Sequence, residues 1–229
     1  MFVDVPDRRR QPAAWVAPLL VVVSMLTFVW LATQDSDPRM LFLRRWGAVP
    51  ETLFPAAAPL AGLLDGRLLT LLSALFIHAD WLHLVGNMLF LVIFGLPAER
   101  ALGPWRFMLL FLIGGALANL APVLLLESTR SVIIGASGAI SALIGAYLAL
   151  FPRAKLGFVL PLGLFLEFVR TPAPVMIGVW ALLQLVFTFV GPGFGAVAWS
   201  AHLAGFVIGL LIGLLARPAI AKRLRNSRN

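Results

Sequence analysis

The sequence predicts an all-α, polytopic membrane protein with six transmembrane helices and both termini in the cytoplasm. Three observations support this fold class. Of the 229 residues, 61% are hydrophobic and only 12% are charged, and the mean hydropathy is +0.96. Several apolar runs approach the roughly 20 residues that cross a bilayer as a helix. The basic residues are unevenly shared between the segments that join these runs. A soluble enzyme and a disordered chain are excluded, because neither carries so much apolar sequence.

Six apolar runs define the predicted spans. The first follows three arginines and is longer than the apolar core of a signal peptide, so we expect it to be retained as a helix. The spans cover about residues 14–33, 71–96, 104–126, 132–151, 174–190 and 197–216. Together they form one membrane domain, residues 14–216, between a short basic N-terminus (1–13) and a basic tail (217–229). The segment Leu156–Val169 is short and contains Pro161, and we predict an interfacial loop there.

The distribution of basic residues predicts the orientation. With six spans, 13 of the 18 Lys and Arg residues fall on the side of the two termini, and that side carries a net charge of +9 against −1 on the other. The positive-inside rule then places both termini in the cytoplasm. Because the net charge of +8 mainly reflects this topology, we expect the lipid bilayer as a partner and no nucleic acid. The expected location is a bacterial inner (cell) membrane.

Polar residues inside the spans are few, and they are the candidate functional residues because burying them in lipid is costly. His83 and Asn87 are four residues apart and share a helix face. A stripe of small residues begins at Ser137 on the fourth span, and another begins at His202 on the sixth. Small residues spaced in this way let helix backbones approach closely. If the two stripes pack together, Ser137 and His202 meet near the external end of the bundle.

A serine beside a neutral histidine is the minimal arrangement for nucleophilic catalysis, because the imidazole removes the hydroxyl proton. His83 and Asn87 could then donate hydrogen bonds to a developing oxyanion. Other protease chemistries lack their residues: the chain has no His-Glu-x-x-His motif, no aspartate pair within the spans and no aspartate to complete a triad. Cysteine is absent, and we expect no cofactor and no metal. Asn119 and Gln184 are predicted to form structural hydrogen bonds between helices.

Three strings give the sequence a family resemblance. They are His78-Ala-Asp-Trp-Leu-His-Leu-Val-Gly-Asn-Met, then Gly135-Ala-Ser-Gly-Ala-Ile, then Ala201-His-Leu-Ala-Gly-Phe-Val-Ile-Gly. In their order and their placement on the second, fourth and sixth spans, they resemble the rhomboid intramembrane serine proteases. The likeness covers about residues 68–215. It implies a six-helix rhomboid-like bundle and a serine-type endopeptidase.

The resemblance also implies roles for individual residues. Ser137 would be the nucleophile and His202 the general base. His83 and Asn87, with the backbone N–H of Ser137, would form the oxyanion hole. His78 matches a histidine that organises structure and water near the mouth of the site, and Glu99 matches a glutamate that braces the cytoplasmic end of the second span.

The chain departs from the family pattern in two places. Leu69 and Thr70 replace a Trp-Arg pair of the first external loop, which predicts looser anchoring of that loop. Ser141 stands where an aromatic residue often stacks on the catalytic histidine, so the orientation of His202 must depend on another residue.

The functional expectation is an intramembrane serine endopeptidase with a Ser-His dyad. It would cleave transmembrane segments of single-pass membrane proteins near the external face. The Pro-flanked fifth span, with Trp180 and Phe187, would be a lateral gate. One alternative is a catalytically inactive rhomboid-like protein that binds transmembrane clients. Another is a metal or ion carrier that uses His78, His83 and His202.

Overall fold

The computed structural model describes residues 13–55, 65–125, 131–162, 165–190 and 198–226, and within these ranges the chain is mainly helical. Residues 1–12 of the predicted basic N-terminus, the predicted start of the sixth span and the last three residues of the tail lie outside them. The helices are α1 (Val16–Ala32), α2 (Ser36–Trp46), α3 (Pro50–Leu53), α4 (Thr70–Ser73), α5 (Trp81–Leu102), α6 (Pro104–Leu124), α7 (Ser137–Leu150), α8 (Ala173–Val190) and α9 (Trp199–Asn226). The strands are β1 (Lys155–Leu162) and β2 (Phe165–Pro172).

Within the described ranges, four helices are long and apolar enough to cross a membrane: α5, α6, α8 and the part of α9 that ends at Lys222. Helices α1 and α7 are apolar but shorter, at 17 and 14 residues. All six predicted spans therefore coincide with apolar helices. The count of six crossings and the orientation of the termini remain predictions.

Helix α7 lies at the centre of the bundle and packs most extensively against α9. Its side chains from Gly138 to Tyr147 are buried without interruption. The two backbones touch where the small-residue stripes meet, because an added methyl group at Gly209 would overlap the backbone of Ala142, and one at Gly205 would overlap the carbonyl of Gly138. The predicted packing of the fourth span on the sixth is confirmed.

The second span begins later than predicted. Residues 70–76 form short helical turns, residues 77–80 are not helical, and α5 begins at Trp81. Asp80 causes the new start, since its carboxylate accepts a hydrogen bond of 2.9 Å from the backbone N–H of His83 and so caps the helix. A π-helical stretch, Leu91–Gly95, interrupts α5 near its middle.

The fourth span also begins later than predicted, at Ser137 instead of residue 132. Ala48 and Ile133 form an isolated antiparallel bridge, with N–H to carbonyl distances of 3.0 and 2.8 Å. Gly135 has a φ of +115°, which residues with side chains rarely adopt. These two constraints keep the approach to α7 extended, and they place Ser137 at the first residue of the helix.

Helix α1 is joined to α5 through Glu99. The carboxylate of Glu99 accepts three hydrogen bonds of 2.8 Å, from the backbone N–H groups of Trp15, Val16 and Ala17. Glu99 is 1% exposed, so a buried charge satisfies the free donors at the start of α1. This contact gives a physical basis to the bracing role that the resemblance implies.

One prediction on the outer parts of the chain is wrong. The segment predicted as an interfacial loop forms an antiparallel hairpin, in which Lys155 pairs with Pro172 and Leu162 with Phe165. The fold is therefore not purely α-helical. The basic tail predicted over residues 217–229 stays a prediction; as far as Asn226 it is a helical continuation of α9.

Candidate functional site

Ser137 and His202 lie in direct contact where α7 meets α9. The Oγ atom of Ser137 is 2.8 Å from the Nε2 atom of His202. The small residues described above permit this distance, because bulkier side chains between the helices would separate them. The sequence prediction that these two residues meet is thus confirmed in geometry.

The second nitrogen of His202 determines the state of the ring. Its Nδ1 atom is 2.8 Å from the Oε1 atom of Gln184 on α8. An amide oxygen only accepts hydrogen bonds, so Nδ1 must carry the proton and donate it. In the neutral ring, Nε2 then presents a lone pair to the hydroxyl of Ser137. This is the tautomer in which an imidazole can take a proton from serine.

His83 and Asn87 lie on one face of α5, next to the loop that leads into α7. A methyl group added to Gly135 would lie 2.6 Å from Nε2 of His83 and 3.7 Å from Nδ2 of Asn87, so both side chains border that loop. The Nδ1 atom of His83 accepts a hydrogen bond of 3.4 Å from the backbone N–H of Ala79. The neutral ring of His83 therefore carries its proton on Nε2, on the side of Gly135.

Asn87 provides an unsatisfied donor. It is 7% exposed, and its Nδ2 atom has no hydrogen-bond partner within the described residues. A buried amide group without a partner is costly, and such a group frequently serves a ligand or a reaction intermediate. The backbone N–H of Ser137 adds a second donor, since the first N–H groups of a helix have no acceptor within the helix.

A cavity of about 1250 Å³ connects these groups. It extends to Pro50, Ala79 and Ala198, at the end of the bundle that the sequence predicts to be external. Polar side chains line its wall, among them Asp80, His83, Asn87, Ser137, Gln184 and His202. The arrangement combines a hydroxyl, a base and aimed donors in one cavity, which is the set of groups that acyl transfer requires.

His78 is close to the cavity and does not line it. Its side chain is fully buried, and neither ring nitrogen has a hydrogen-bond partner among the residues that the structure describes. Its ring centroid is 5.1 Å from that of His83. His78 lies outside α5, and its burial, together with the nearby His83, lowers its pKa to about 4. The ring is therefore neutral at physiological pH.

The described residues contain no group of three or more His, Asp or Glu side chains that could hold a metal ion. His202 contacts Ser137 and Gln184 instead of the other two histidines. The histidine-based carrier that the sequence left open therefore gains no support from the geometry.

A family model for the rhomboid domain matches residues 65–219. The chain belongs to the rhomboid family. It is 27% identical to RHOMBOID-like protein 6, mitochondrial, of Arabidopsis thaliana, over 95% of this chain and 74% of the relative. It is 30% identical to RHOMBOID-like protein 5 of the same plant, over 90% of this chain and 69% of the relative. Rhomboid protein 1, mitochondrial, of Saccharomyces cerevisiae is 30% identical, over 68% of this chain and 44% of the relative.

Sequence reasoning missed the partnership between Gln184 and His202 in this rhomboid. The sequence predicts that Gln184 and Asn119 each form a structural hydrogen bond between helices, but it does not identify the partners. Asn119 donates a hydrogen bond of 3.0 Å to the carbonyl of Leu71, whereas Gln184 contacts the ring of His202. The available signal was Gln184 itself, a lone amide in an apolar span, but its partner depends on how α8 is rotated against α9.

The described part of the first loop of this rhomboid, which the sequence predicts to be external, has anchoring contacts other than the Trp-Arg pair. Besides the bridge between Ala48 and Ile133, the guanidinium of Arg39 donates a 2.7 Å hydrogen bond to the carbonyl of Ala79. The hydroxyl of Ser73 donates a 2.6 Å hydrogen bond to the carbonyl of Trp46. These contacts tie α2 and its neighbours to the two segments that border the cavity, while the looser anchoring stays a prediction.

Proposed function

We propose that this chain is an intramembrane serine endopeptidase that cleaves transmembrane segments of single-pass membrane proteins near the external face. The observation that carries the proposal is the 2.8 Å contact between Ser137 Oγ and His202 Nε2, at the wall of a cavity with buried hydrogen-bond donors. Membership of the rhomboid family supports the same chemistry.

In the first step, the Oγ atom of Ser137 attacks the carbonyl carbon of the scissile peptide bond. The Nε2 atom of His202 accepts the hydroxyl proton as the Oγ–C bond forms. The Nδ1–H of His202 already donates to Gln184, so the ring does not need to rotate or change tautomer before the proton transfer. A tetrahedral intermediate with a negatively charged oxygen results.

The oxyanion would be stabilised by the free donors of the cavity. Asn87 Nδ2, His83 Nε2–H and the backbone N–H of Ser137 border the same loop, and Asn87 Nδ2 has no competing partner among the described residues. Donors that are already desolvated do not need to reorganise when the charge develops, and this is the main source of their catalytic effect.

The second half of the reaction returns the proton. The imidazolium of His202 protonates the leaving amine as the C–N bond breaks, which leaves an acyl group on Ser137. A water molecule then attacks the acyl carbon and gives a proton to His202. As the bond between the acyl carbon and Oγ breaks, His202 returns this proton to Ser137 and the carboxylic acid product leaves. The cavity at the predicted external end supplies the route for water.

The substrate class follows from the surroundings of the site. A transmembrane helix has its carbonyls hydrogen-bonded along the chain, so it must unwind locally before Ser137 can reach a carbonyl carbon. We therefore expect cleavage next to residues that weaken a helix. Trp180 lines the cavity and packs edge-on against Phe206 of α9, which places it at the junction that a substrate would cross if α8 is a gate.

The test is cleavage of a transmembrane substrate by purified protein in liposomes. Ser137→Ala should abolish cleavage. Ser24→Ala is the matched control, because Ser24 is buried in α1 and does not border the cavity. Undiminished cleavage by Ser137→Ala would overturn the assignment, whereas loss of cleavage in both variants would indicate damage to the fold instead of the chemistry.

A chemical probe distinguishes the protease from the inactive, client-binding alternative, which would have the same fold. A fluorophosphonate reacts with a serine hydroxyl that a neighbouring base activates. Labelling of the wild-type chain and not of Ser137→Ala supports the protease, while an unlabelled wild-type chain favours the client-binding protein.

The apolar helices and the family membership make this chain a multi-pass membrane protein. The predicted bacterial inner membrane has no support from the comparisons, since two of the three relatives named above carry the word mitochondrial in their names. Fractionation of cells that express the native gene would identify the membrane.

A further inference from the structure

Among the described residues, Gln184 is the hydrogen-bond partner of the Nδ1 atom of His202. It lies on α8, while the serine and the histidine lie on α7 and α9. Gln184 is 8% exposed, so its amide is largely shielded from competing water. A hydrogen bond in such surroundings fixes the ring more strongly than one in bulk water.

The other neighbours of His202 cannot fix the tautomer. The indole of Trp199 meets the imidazole edge to face, with centroids 5.8 Å apart, and this contact restricts the ring plane without distinguishing its two nitrogens. Ser141 occupies the position of the missing aromatic residue, and its hydroxyl donates to the carbonyl of Ser137. Gln184 is thus the group that selects the protonated nitrogen.

We propose that Gln184 is a positioning residue for His202. It completes a hydrogen-bonded series, Ser137–His202–Gln184, that spans three helices. This inference rests on the proposed function and deepens it. In the absence of the amide oxygen, the neutral ring is free to carry its proton on Nε2, and in that tautomer it cannot accept a proton from Ser137.

The hydrogen bond between Gln184 and His202 also makes the reaction depend on the position of α8. The buried residues of α8 are only Ala173, Ile177 and Gln184, and most of its large apolar side chains are exposed. A displacement of α8 that separates Gln184 from His202 therefore removes the acceptor without moving Ser137 or His202. The base is correctly oriented only while α8 is seated against α9.

Two substitutions at position 184 separate the hydrogen bond from the packing. Gln184→Met keeps the length of the side chain and lacks the acceptor, whereas Gln184→Glu keeps an oxygen at the same position. The control is Leu183→Met, on the neighbouring, 48% exposed position of α8. The readout is the rate at which a fluorophosphonate labels Ser137 in each full-length variant.

We expect Gln184→Met to lower the labelling rate about tenfold, which corresponds to about 1.4 kcal/mol and lies within the range for one hydrogen bond. Gln184→Glu should retain the rate within about threefold, and Leu183→Met should leave it unchanged. Equal labelling of Gln184→Met and wild type would overturn the positioning role, and so would an equal loss in Leu183→Met. An unlabelled wild-type chain would instead count against the proposed function itself.

A second measurement reports the tautomer without any reaction, so it remains informative if Gln184→Met fails to fold. The chain contains three histidines, and the ¹⁵N resonances of His202 can be identified by their loss in His202→Gln. The inference requires a protonated Nδ1 and an unprotonated Nε2 in the wild type. The opposite tautomer would overturn it.

Discussion

The hydroxyl of Ser141 donates a hydrogen bond of 2.7 Å to the backbone carbonyl of Ser137, one turn earlier on the same helix. The hydroxyl groups of the two serines of α7 therefore have different hydrogen-bond partners. The hydroxyl of Ser137 is directed at His202, while that of Ser141 is satisfied by the backbone of its own helix. The geometry favours Ser137 alone as the nucleophile.

Ser141→Ala should consequently leave cleavage within about twofold of wild type. A side-chain hydrogen bond between membrane helices contributes about 0.6 kcal/mol on average. The bond of Ser141 to its own helix should contribute no more, so the stability should also fall only slightly. Cleavage assays on Ser141→Ala beside Ser137→Ala check this expectation. Loss of cleavage in Ser141→Ala with full activity in Ser137→Ala would reverse the assignment of the nucleophile.

Asn87→Ala should lower turnover by about 10²-fold, with little change in KM, because the lost donor acts on charge that develops only in the transition state. Asn119→Ala is the matched comparison. Asn119 is also buried and also lines the cavity, but its amide already donates to the carbonyl of Leu71. Its loss should therefore lower the free energy of unfolding and not the turnover of the folded protein. Steady-state kinetics and denaturation of both variants separate the two effects, and an unchanged kcat in Asn87→Ala would remove Asn87 from the oxyanion hole.

Gly209→Ala should destabilise the protein by about 2 kcal/mol and reduce cleavage. The added methyl group would overlap the backbone of Ala142, so α7 and α9 must move apart, and overpacking of this kind costs about 1–3 kcal/mol. Gly178→Ala provides the control, since a methyl group there meets no atom within 4 Å. The measurement is the thermal midpoint together with the cleavage rate; equal effects of the two substitutions would contradict the close packing.

Glu99→Gln should lower the free energy of unfolding by about 2 kcal/mol, because hydrogen bonds to a charged acceptor are stronger than neutral ones. The amide would also place an N–H₂ group opposite the N–H groups of α1, where the carboxylate now accepts three hydrogen bonds. Asp65→Asn is the control, since Asp65 is exposed. Denaturation of both variants in detergent measures what the Glu99 carboxylate contributes at the start of α1. Equal stability of Glu99→Gln and wild type would show that its charge is not required.

The contact between Ser137 and His202 could be predicted from the sequence because small residues repeat every four positions on both spans, and this repeat fixes which faces of α7 and α9 meet. The apolar runs likewise predicted the six helices, since hydropathy and length are local properties. The late start of α7 could not be predicted in the same way. It depends on the bridge between Ala48 and Ile133, which joins residues far apart in the chain.

The partner of Gln184 and the hairpin of residues 155–172 were not predictable for a related reason. A hydrogen bond between helices depends on their relative depth and rotation, and neither is encoded in the composition of α8. In the hairpin, each strand is too short and too apolar to distinguish a strand from an interfacial loop by periodicity. Its pairing appears only when both strands are considered together.

Helix α9 carries His202 near one end and the exposed, basic Arg217 and Lys222 toward the other. It is continuous between His202 and Arg217, so at a rise of about 1.5 Å per residue their separation is about 22 Å along the axis. Arginine at the boundary of a hydrocarbon layer about 30 Å thick prefers the headgroup level. If the chain cleaves substrates as proposed, the length of α9 sets the depth of the cut bond relative to the opposite leaflet, and the thickness of the bilayer determines which bond is reached.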